Sequence, residues 1–179
     1  MWAIVPVKPF LHAKSRLAGI LSPPQRAGLS REFLGHALDV LSQVPTIERT
    51  LVISRDSEAL ALARERNAHT VIESGAPDLN AALRRATEVA LTFGARAVVI
   101  LPTDLPFLSP QYMETLISGS YTDALMAIAP DRHEEGTNAL FVRPPGVIKY
   151  AFGKHSFQQH LAQARQAGVR VSICRLAGM

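Results

Sequence analysis

One carboxylate in this chain stands directly after a continuous apolar run. Ala97-Val98-Val99-Ile100 leads into Leu101-Pro102-Thr103-Asp104-Leu105-Pro106. Such a run predicts a strand buried on both faces, and Asp104 then lies beyond its carboxyl end, where open α/β sheets bind ligands. The flanking prolines hold the loop extended, so that the carboxylate is presented to solvent. Because no cation neighbours it in sequence, we interpret Asp104 as a metal ligand; a helix N-cap or turn aspartate is the alternative.

The loop after the first predicted strand carries three cations within nine residues, namely Lys8, Lys14 and Arg16. It has neither the Walker A pattern nor the dinucleotide fingerprint, so any phosphate here must be held by side chains. Lysine supplies a compact charge and arginine a planar fork that binds phosphate through two hydrogen bonds. Because this loop leaves the same sheet edge as Asp104, cations and a metal carboxylate would meet there, as a nucleoside triphosphate site requires. A solvated basic loop is the alternative.

Two more polar clusters lie in the second half of the chain. In the first, Gly136 allows a tight turn before Thr137 and Asn138. In the second, Ser156 follows Phe152-Gly153-Lys154-His155 and opens a helix, whose free N–H groups and dipole favour an anion. Ser156 as a plain N-cap is the alternative, and the two roles are compatible.

The elements that must position these clusters alternate between strand and helix. Strands are predicted at Trp2 to Val7, Leu51 to Ser54, Thr70 to Glu73, Arg96 to Leu101, Ala124 to Ala129, Asn138 to Val142 and Val169 to Cys174. Helices are predicted at Pro23 to Val44 with Ser22 as N-cap, Glu58 to Asn67, Leu79 to Phe93, Pro110 to Ile117 and Ser156 to Ala167. Repeated units of this length predict an α/β fold with a mostly parallel sheet, helices on both faces, and a single domain over residues 1–179.

The charge and composition of the chain indicate which classes of binding partner and which compartment to expect. The net charge of +4 favours an anionic partner, but aromatic residues make up only 6% and no dense basic tract exists, so we expect no nucleic acid. No apolar run approaches the length of a membrane span, and Met1 leads straight into a strand without a signal peptide, which predicts a cytoplasmic protein. Cys174 is the only cysteine, which excludes an internal disulfide, and its alternation with polar residues indicates strand packing.

Taken together, the clusters resemble the 2-phospho-L-lactate and phosphoenolpyruvate guanylyltransferases of coenzyme F420 biosynthesis. The resemblance keeps motif order and spacing over nearly the whole chain, through Lys8-Pro9, Ala13-Lys14-Ser15-Arg16-Leu17, Leu79-Asn80, Leu101 to Pro106, Gly136 to Leu140 and Phe152 to Phe157. It implies a three-layer α/β/α sandwich of the nucleotide-diphospho-sugar transferase (glycosyltransferase-A-like) fold. It also implies GMP transfer from GTP to the phosphate of a small phospho-carboxylic acid, with release of pyrophosphate and magnesium as cofactor. A homodimer is compatible with this family.

The same resemblance assigns roles to individual residues. It implies that Asp104 binds the metal and that Lys14 and Arg16 act on the triphosphate, with Lys8 beside them. It further implies a guanine nucleoside site at Ser54, Leu79 and Asn80, and an acceptor site at Thr137, Gly153 and Ser156. For Leu79 simple helix packing is the alternative, and for Asn80 an ordinary N-cap.

One feature departs from the family. The family continues beyond a strand like Val169 to Cys174 into a segment with a second acidic metal ligand, whereas this sequence has no Asp or Glu after Glu135 and stops at Met179. Glu134 and Glu135 are substitutes by position only, and a solvated turn is their alternative role.

The implied chemistry needs no nucleophilic side chain. A phosphate monoester has its second pKa near about 6, so the acceptor is mostly a dianion at neutral pH and requires no general base. We therefore expect no Ser-His or Cys-His nucleophile. Two rival functions stay open, another nucleotidyltransferase of the same fold and a catalytically silent nucleotide-binding module. Phosphoenolpyruvate, 2-phospho-L-lactate and 3-phospho-D-glycerate are equally compatible acceptors.

Overall fold

A computed structural model describes residues 1–118 and 124–175, and one seven-stranded sheet runs through them. The strands are β1 (Trp2–Val7), β2 (Arg49–Ser54), β3 (His69–Ile72), β4 (Val98–Ile100), β5 (Leu125–Pro130), β6 (Thr137–Arg143) and β7 (Arg170–Ile173). Their order in the sheet is β3-β2-β1-β4-β6-β5-β7. Among the strands of the described residues, only β6 runs against its neighbours, β4 and β5, so the predicted mostly parallel sheet is confirmed.

Helices cover both faces of the sheet. They are α1 (Pro23–Ser42), α2 (Ser57–Glu65), α3 (Leu79–Thr92), α4 (Pro110–Ile117) and α5 (Ser156–Gln166). Successive strand residues point to opposite faces, so in β1 Ala3 and Val5 pack into a core with α1, α2 and α4, whereas Trp2 and Ile4 pack into a core with α3 and α5. The three-layer α/β/α sandwich is thereby confirmed.

The residues that cap the helices confirm the predicted start of α1 and exclude the N-cap role considered as an alternative for Asn80 and Asp104. The Gln25 side-chain oxygen accepts the Ser22 backbone N–H at 2.9 Å, so Ser22 opens α1 as predicted. The cap of α3 is Asp78, and the cap of α4 is Ser109. An N-cap role is therefore wrong for both Asn80 and Asp104.

A register shift separates the two ends of β6. Along most of the strand Ala139 pairs with Ala129 and its neighbours follow in step, but Thr137 pairs with Pro130, which leaves Asn138 as an extra residue. The Asn138 side-chain amide donates to the Pro130 carbonyl at 3.3 Å. Because one inserted residue reverses the alternation of faces, this bulge turns Thr137 toward α5, away from the face that Ala139 occupies.

The candidate residues converge at one edge of the sheet. The carboxyl ends of β1 and β4 and the amino end of the antiparallel β6 lie side by side, because β4 is the neighbour of both other strands. In the described ranges 1–118 and 124–175, no helix has the length and apolar character to cross a membrane.

Candidate active site

The loop after β1 is held in place by contacts to two other elements. The Phe10 ring is buried, and its backbone N–H donates to the Asp56 carboxylate at 2.7 Å. The Arg26 guanidinium on α1 donates to the Ala13 carbonyl at 3.1 Å. Between the two short 3-10 turns of this loop, Lys14 adopts a left-handed backbone with φ of 53°. These contacts fix the backbone of the loop and the side chain of Lys14, whereas Lys8 and Arg16 on the same loop are exposed to solvent.

Lys14 is brought to Asp104 by this loop. Its ammonium group forms an ion pair with Oδ1 of Asp104 and lies 4.4 Å from the centroid of the Phe33 ring. The Lys14 side chain is 12% exposed, whereas that of Asp104 is 73% exposed. The open carboxylate agrees with the expectation from the prolines around Asp104, whereas the covered cation beside it comes from a loop distant in sequence and was not predicted.

The donor set at Asp104 fits a magnesium ion shared with a substrate. Magnesium binds proteins through one or two carboxylates and completes its shell with phosphate oxygens and water. Oδ1 of Asp104 contacts Lys14, and the rest of this exposed carboxylate faces solvent. Outside residues 119–123 and 176–179, no cluster of three or more acidic, histidine or cysteine side chains forms a separate metal cage. The Glu134 carboxylate is engaged with Arg175 at 2.7 Å, and Met179 lies outside the described residues.

A buried polar chain occupies the second part of the site. The Ser156 hydroxyl donates to the Thr137 hydroxyl at 3.0 Å, and Thr137 Oγ1 lies 3.1 Å from Nδ1 of His160. The other ring nitrogen of His160, Nε2, accepts the Ala151 backbone N–H at 3.0 Å. Burial lowers the pKa of His160 to about 4, so the ring is neutral at physiological pH. The chain joins β6, α5 and the loop that precedes α5.

That loop is further held by side chains from two helices. The Asn80 side chain on α3 accepts the Phe152 N–H at 2.8 Å and donates to the Phe152 carbonyl at 3.1 Å. Gln163 on α5 accepts the Lys149 N–H at 2.7 Å. Gly153 follows with φ of 134°, a conformation that favours glycine. Asn80 therefore connects the segment predicted to bind guanosine with the segment predicted to bind the acceptor.

The start of α5 differs from the prediction in two ways. His155, not Ser156, is the N-cap, so the alternative N-cap role of Ser156 is wrong. The Ser156 N–H donates to the Gly153 carbonyl at 3.3 Å and the Phe157 N–H to the Glu135 carbonyl at 3.2 Å. These two amides are therefore not free for an anion, so the expected anion site at the helix N-terminus lacks its first two donors. Of the polar groups of Ser156, the side-chain hydroxyl therefore takes part in the candidate site, and the backbone N–H does not.

The β5–β6 loop is shaped by one aspartate. Asp131 accepts the backbone N–H groups of His133 at 3.1 Å and Glu135 at 3.0 Å. Burial acts to raise the pKa of Asp131, but hydrogen bonds from the backbone outweigh it and lower that pKa. A Cβ on Gly136 would stand 2.7 Å from the Asp131 carboxylate, so a larger residue there would displace the carboxylate that organises the loop. The left-handed residue of this loop is Glu134 with φ of 55°, so Gly136 serves the close approach to Asp131 and not the backbone freedom expected of it.

The remaining predicted residues lie at the same edge in different environments. Lys8 and Arg16 are exposed on the loop after β1. Leu79 is the first residue of α3 and is 37% exposed. Ser54 is fully buried at the end of β2, where its hydroxyl accepts the Asp56 N–H at 3.0 Å. Their roles toward a nucleotide stay predictions.

Sequence reasoning missed His160, Asn138 and Asp56. His160 is an isolated histidine on an amphipathic helix, and nothing near it in sequence points to Thr137 or Ala151. The sequence identifies Asn138 only as a short polar residue, because a bulge is visible only in strand pairing. Asp56 follows a predicted strand end, a position that matches that of Asp104 after β4, and this signal could have found it.

Comparison with solved structures defines the class. A nucleotidyl transferase from Methanothermobacter thermautotrophicus superposes with a TM-score of 0.68 at 14% identity, over 97% of this chain and 86% of that one. A Desulfovibrio desulfuricans G20 protein classed as a nucleotide-diphospho-sugar transferase superposes with a TM-score of 0.77 at 18% identity, over 97% and 79% of the two chains. The fold is that of the nucleotide-diphospho-sugar transferases.

Sequence comparison defines the family within that class. The chain belongs to the guanylyl transferase CofC-like family, whose model matches residues 1–175. Phosphoenolpyruvate guanylyltransferase from Rubrobacter xylanophilus is 40% identical over 97% of this chain and 84% of its own length. The enzyme of that name from Sphaerobacter thermophilus is 37% identical over 99% and 84%. 2-Phospho-L-lactate guanylyltransferase from Methanothermobacter thermautotrophicus is 36% identical over 96% and 74%.

Proposed function

We propose that this protein transfers GMP from GTP to the phosphate group of phosphoenolpyruvate or 2-phospho-L-lactate and releases pyrophosphate, a step of coenzyme F420 biosynthesis. Family membership supports the reaction class, and the names of the relatives support the two acceptors. The observation that carries the proposal is the contact of Lys14 with Asp104 at the edge where β1 and β4 end. A cation and a carboxylate joined there suit a triphosphate and its metal ion.

The reaction is a displacement at phosphorus without proton transfer. An oxygen of the acceptor phosphate forms a bond to the α-phosphorus of GTP, and the bond from that phosphorus to the bridging oxygen of pyrophosphate breaks. The bonding electrons leave with pyrophosphate. Because the attacking phosphate is a dianion near neutral pH, the site needs cations and alignment more than a base.

The basic side chains neutralise the leaving group in this proposal. Lys14 lies fixed between Phe33 and Asp104, and Arg16 and Lys8 are exposed on the same loop. Asp104 would hold magnesium, which supplies positive charge to the phosphate oxygens when bound. Fixed charges of this kind favour the transition state because they need no reorganisation as negative charge develops.

The hydroxyl groups of Thr137 and Ser156, with the backbone at Gly153, align the acceptor in this proposal. Thr137 begins β6, the neighbour of β4, so it lies on the sheet edge that also carries Asp104. Leu79 and Asn80 at the start of α3, with Ser54 nearby on β2, form the proposed guanosine side.

Pyrophosphate release tests the proposal directly. The protein is incubated with GTP and magnesium, and with phosphoenolpyruvate, 2-phospho-L-lactate or 3-phospho-D-glycerate in turn. Release with either of the first two supports the proposed function, and substitution of CTP for GTP tests the base preference. Binding of GTP without release in any of the three mixtures would instead establish the silent nucleotide-binding module.

A further inference from the structure

The hydroxyl pair of Thr137 and Ser156 is almost sealed inside the protein. Thr137 is 9% exposed and Ser156 is 1% exposed, and the imidazole of His160 behind them is fully buried. Such a group of polar side chains must have its hydrogen bonds satisfied, because an unpaired buried donor is costly. The direction of each hydrogen bond in the chain is therefore constrained.

The backbone sets the tautomer of His160. Nε2 accepts the Ala151 N–H, so in the neutral ring the proton must reside on Nδ1. Nδ1 then donates to Thr137 Oγ1 at 3.1 Å. The phenyl ring of Phe152 packs against the edge of the imidazole, with ring centroids 5.1 Å apart. These contacts leave the imidazole one orientation and one tautomer.

Counting the hydrogen-bond donors and acceptors of the two hydroxyl groups shows that one O–H proton is left without a partner in the described part of the chain. Thr137 Oγ1 receives hydrogen bonds from His160 and from Ser156, so its own O–H has no acceptor among the residues the structure describes. If the bond between the two hydroxyls is reversed, the same unused proton resides on Ser156. In either arrangement the pair retains one O–H proton that it can donate to a third group.

We infer that His160 is a positioning residue that orients the Thr137–Ser156 hydroxyl pair as a hydrogen-bond donor to an anionic oxygen of the acceptor substrate. The inference rests on the proposed function, which supplies that anion. Nothing in it requires His160 to touch substrate or to exchange a proton. Its effect belongs to acceptor binding and not to the binding of GTP.

Two substitutions of His160 distinguish orientation of the hydroxyl pair from simple support of the loop that precedes α5. Asparagine ends at the same number of bonds from the backbone as Nδ1, so His160→Asn keeps a donor to Thr137. Glutamine reaches as far as Nε2, so His160→Gln keeps an acceptor for Ala151 but loses the donor. Gln163→Ala is the matched control, because Gln163 holds the same loop at Lys149 without contacting the hydroxyl pair.

The measurement is the KM for phosphoenolpyruvate, with kcat and the KM for GTP recorded beside it. We expect His160→Gln to raise the KM for the acceptor by about 10- to 100-fold and to leave the KM for GTP unchanged. This is the effect expected when the misoriented hydroxyl pair loses its hydrogen bond to the charged oxygen of the acceptor. His160→Asn and Gln163→Ala should each change the KM for the acceptor by less than about threefold on the same scale. Equal effects of His160→Gln and His160→Asn, or of His160→Gln and Gln163→Ala, would overturn the inference.

Nitrogen NMR of the ¹⁵N-histidine-labelled wild-type protein gives an answer that needs no variant to fold. We expect the His160 resonances to show a protonated Nδ1 and an unprotonated Nε2 between pH 6 and 8, whereas a protonated Nε2 overturns the inference. A wild-type protein that turns over no acceptor overturns the proposed function and this role with it. An active wild type with the contrary variant pattern overturns the inference alone.

Discussion

Lys14 and Asp104 stand ninety residues apart in the sequence and form an ion pair at the edge of the sheet. The lysine side chain is mostly covered and its ammonium group lies over the Phe33 ring, whereas the carboxylate is mostly open. This asymmetry assigns different tasks to the two charges. The lysine is held before any ligand arrives, whereas the exposed carboxylate is free to take the proposed role of binding a metal ion, which would in turn bind phosphate oxygens.

Asp104→Asn should remove most turnover and leave the fold intact. The amide cannot supply the negative charge that holds a metal ion, so we expect kcat to fall by about 100-fold or more. The measurement is pyrophosphate release, with thermal unfolding to verify the fold. Asp39→Asn is the control, because Asp39 is also an exposed carboxylate in an ion pair, with Arg66 at 3.1 Å. Equal loss in both variants would contradict the assignment.

Lys14→Ala should lower kcat/KM for GTP by about 100-fold, since it removes a fixed cation from the leaving-group side. Phe33→Leu keeps the charge and removes only the aromatic face under it, so its loss should be about threefold. Steady-state kinetics with GTP varied at saturating acceptor gives both values. An unaltered kcat/KM in a folded Lys14→Ala protein would exclude Lys14 from the triphosphate site.

Asn80→Ala should lower the free energy of unfolding by about 2 kcal/mol, because it leaves the Phe152 N–H and carbonyl without their partners. Asn80→Asp retains an oxygen for the N–H and should cost about half as much. Urea unfolding measures the stability, and hydrogen exchange at Phe152 measures the contact itself. Protection of that amide should persist in Asn80→Asp and disappear in Asn80→Ala; protection in both would show that Asn80 does not hold the loop.

The stability of the protein should fall as pH is lowered from about 6.5 to about 4. Burial lowers the pKa of His160 from 6.5 to about 4, so in this window the unfolded chain binds a proton that the folded protein does not. The contribution is fully present above pH 6.5 and amounts to about 3 kcal/mol. Among the described groups in contact with the ring, Thr137, the Ala151 backbone and Phe152 do not titrate in this range.

Urea unfolding at several pH values measures this dependence. His160→Asn removes the titrating ring, so its free energy of unfolding should decline less steeply with falling pH than that of the wild type. The difference between the two curves isolates His160 from the carboxylates, which titrate in both proteins. Parallel curves would show that the ring is accessible to protons in the folded state.

The sequence by itself determined the layered fold and predicted the sheet edge at which the candidate site residues gather. Alternating apolar runs and amphipathic segments specify βα units, because each strand and helix must bury its own apolar surface. The predicted boundaries lie within a few residues of those observed, as for β1 at Trp2–Val7 and α4 at Pro110–Ile117. The prolines around Asp104 were enough to predict an exposed carboxylate, since their effect on the backbone is local.

The tertiary structure decided the contacts between distant segments. The β6 bulge at Asn138 turns Thr137 toward α5, and strand alternation read from the sequence would place it on the opposite face. His160 became part of the site only because α5 packs against the start of β6 and the loop at Ala151. Sequence patterns report local preferences and burial, whereas register and side-chain partners depend on how the whole chain packs, so these features were visible only in the folded protein.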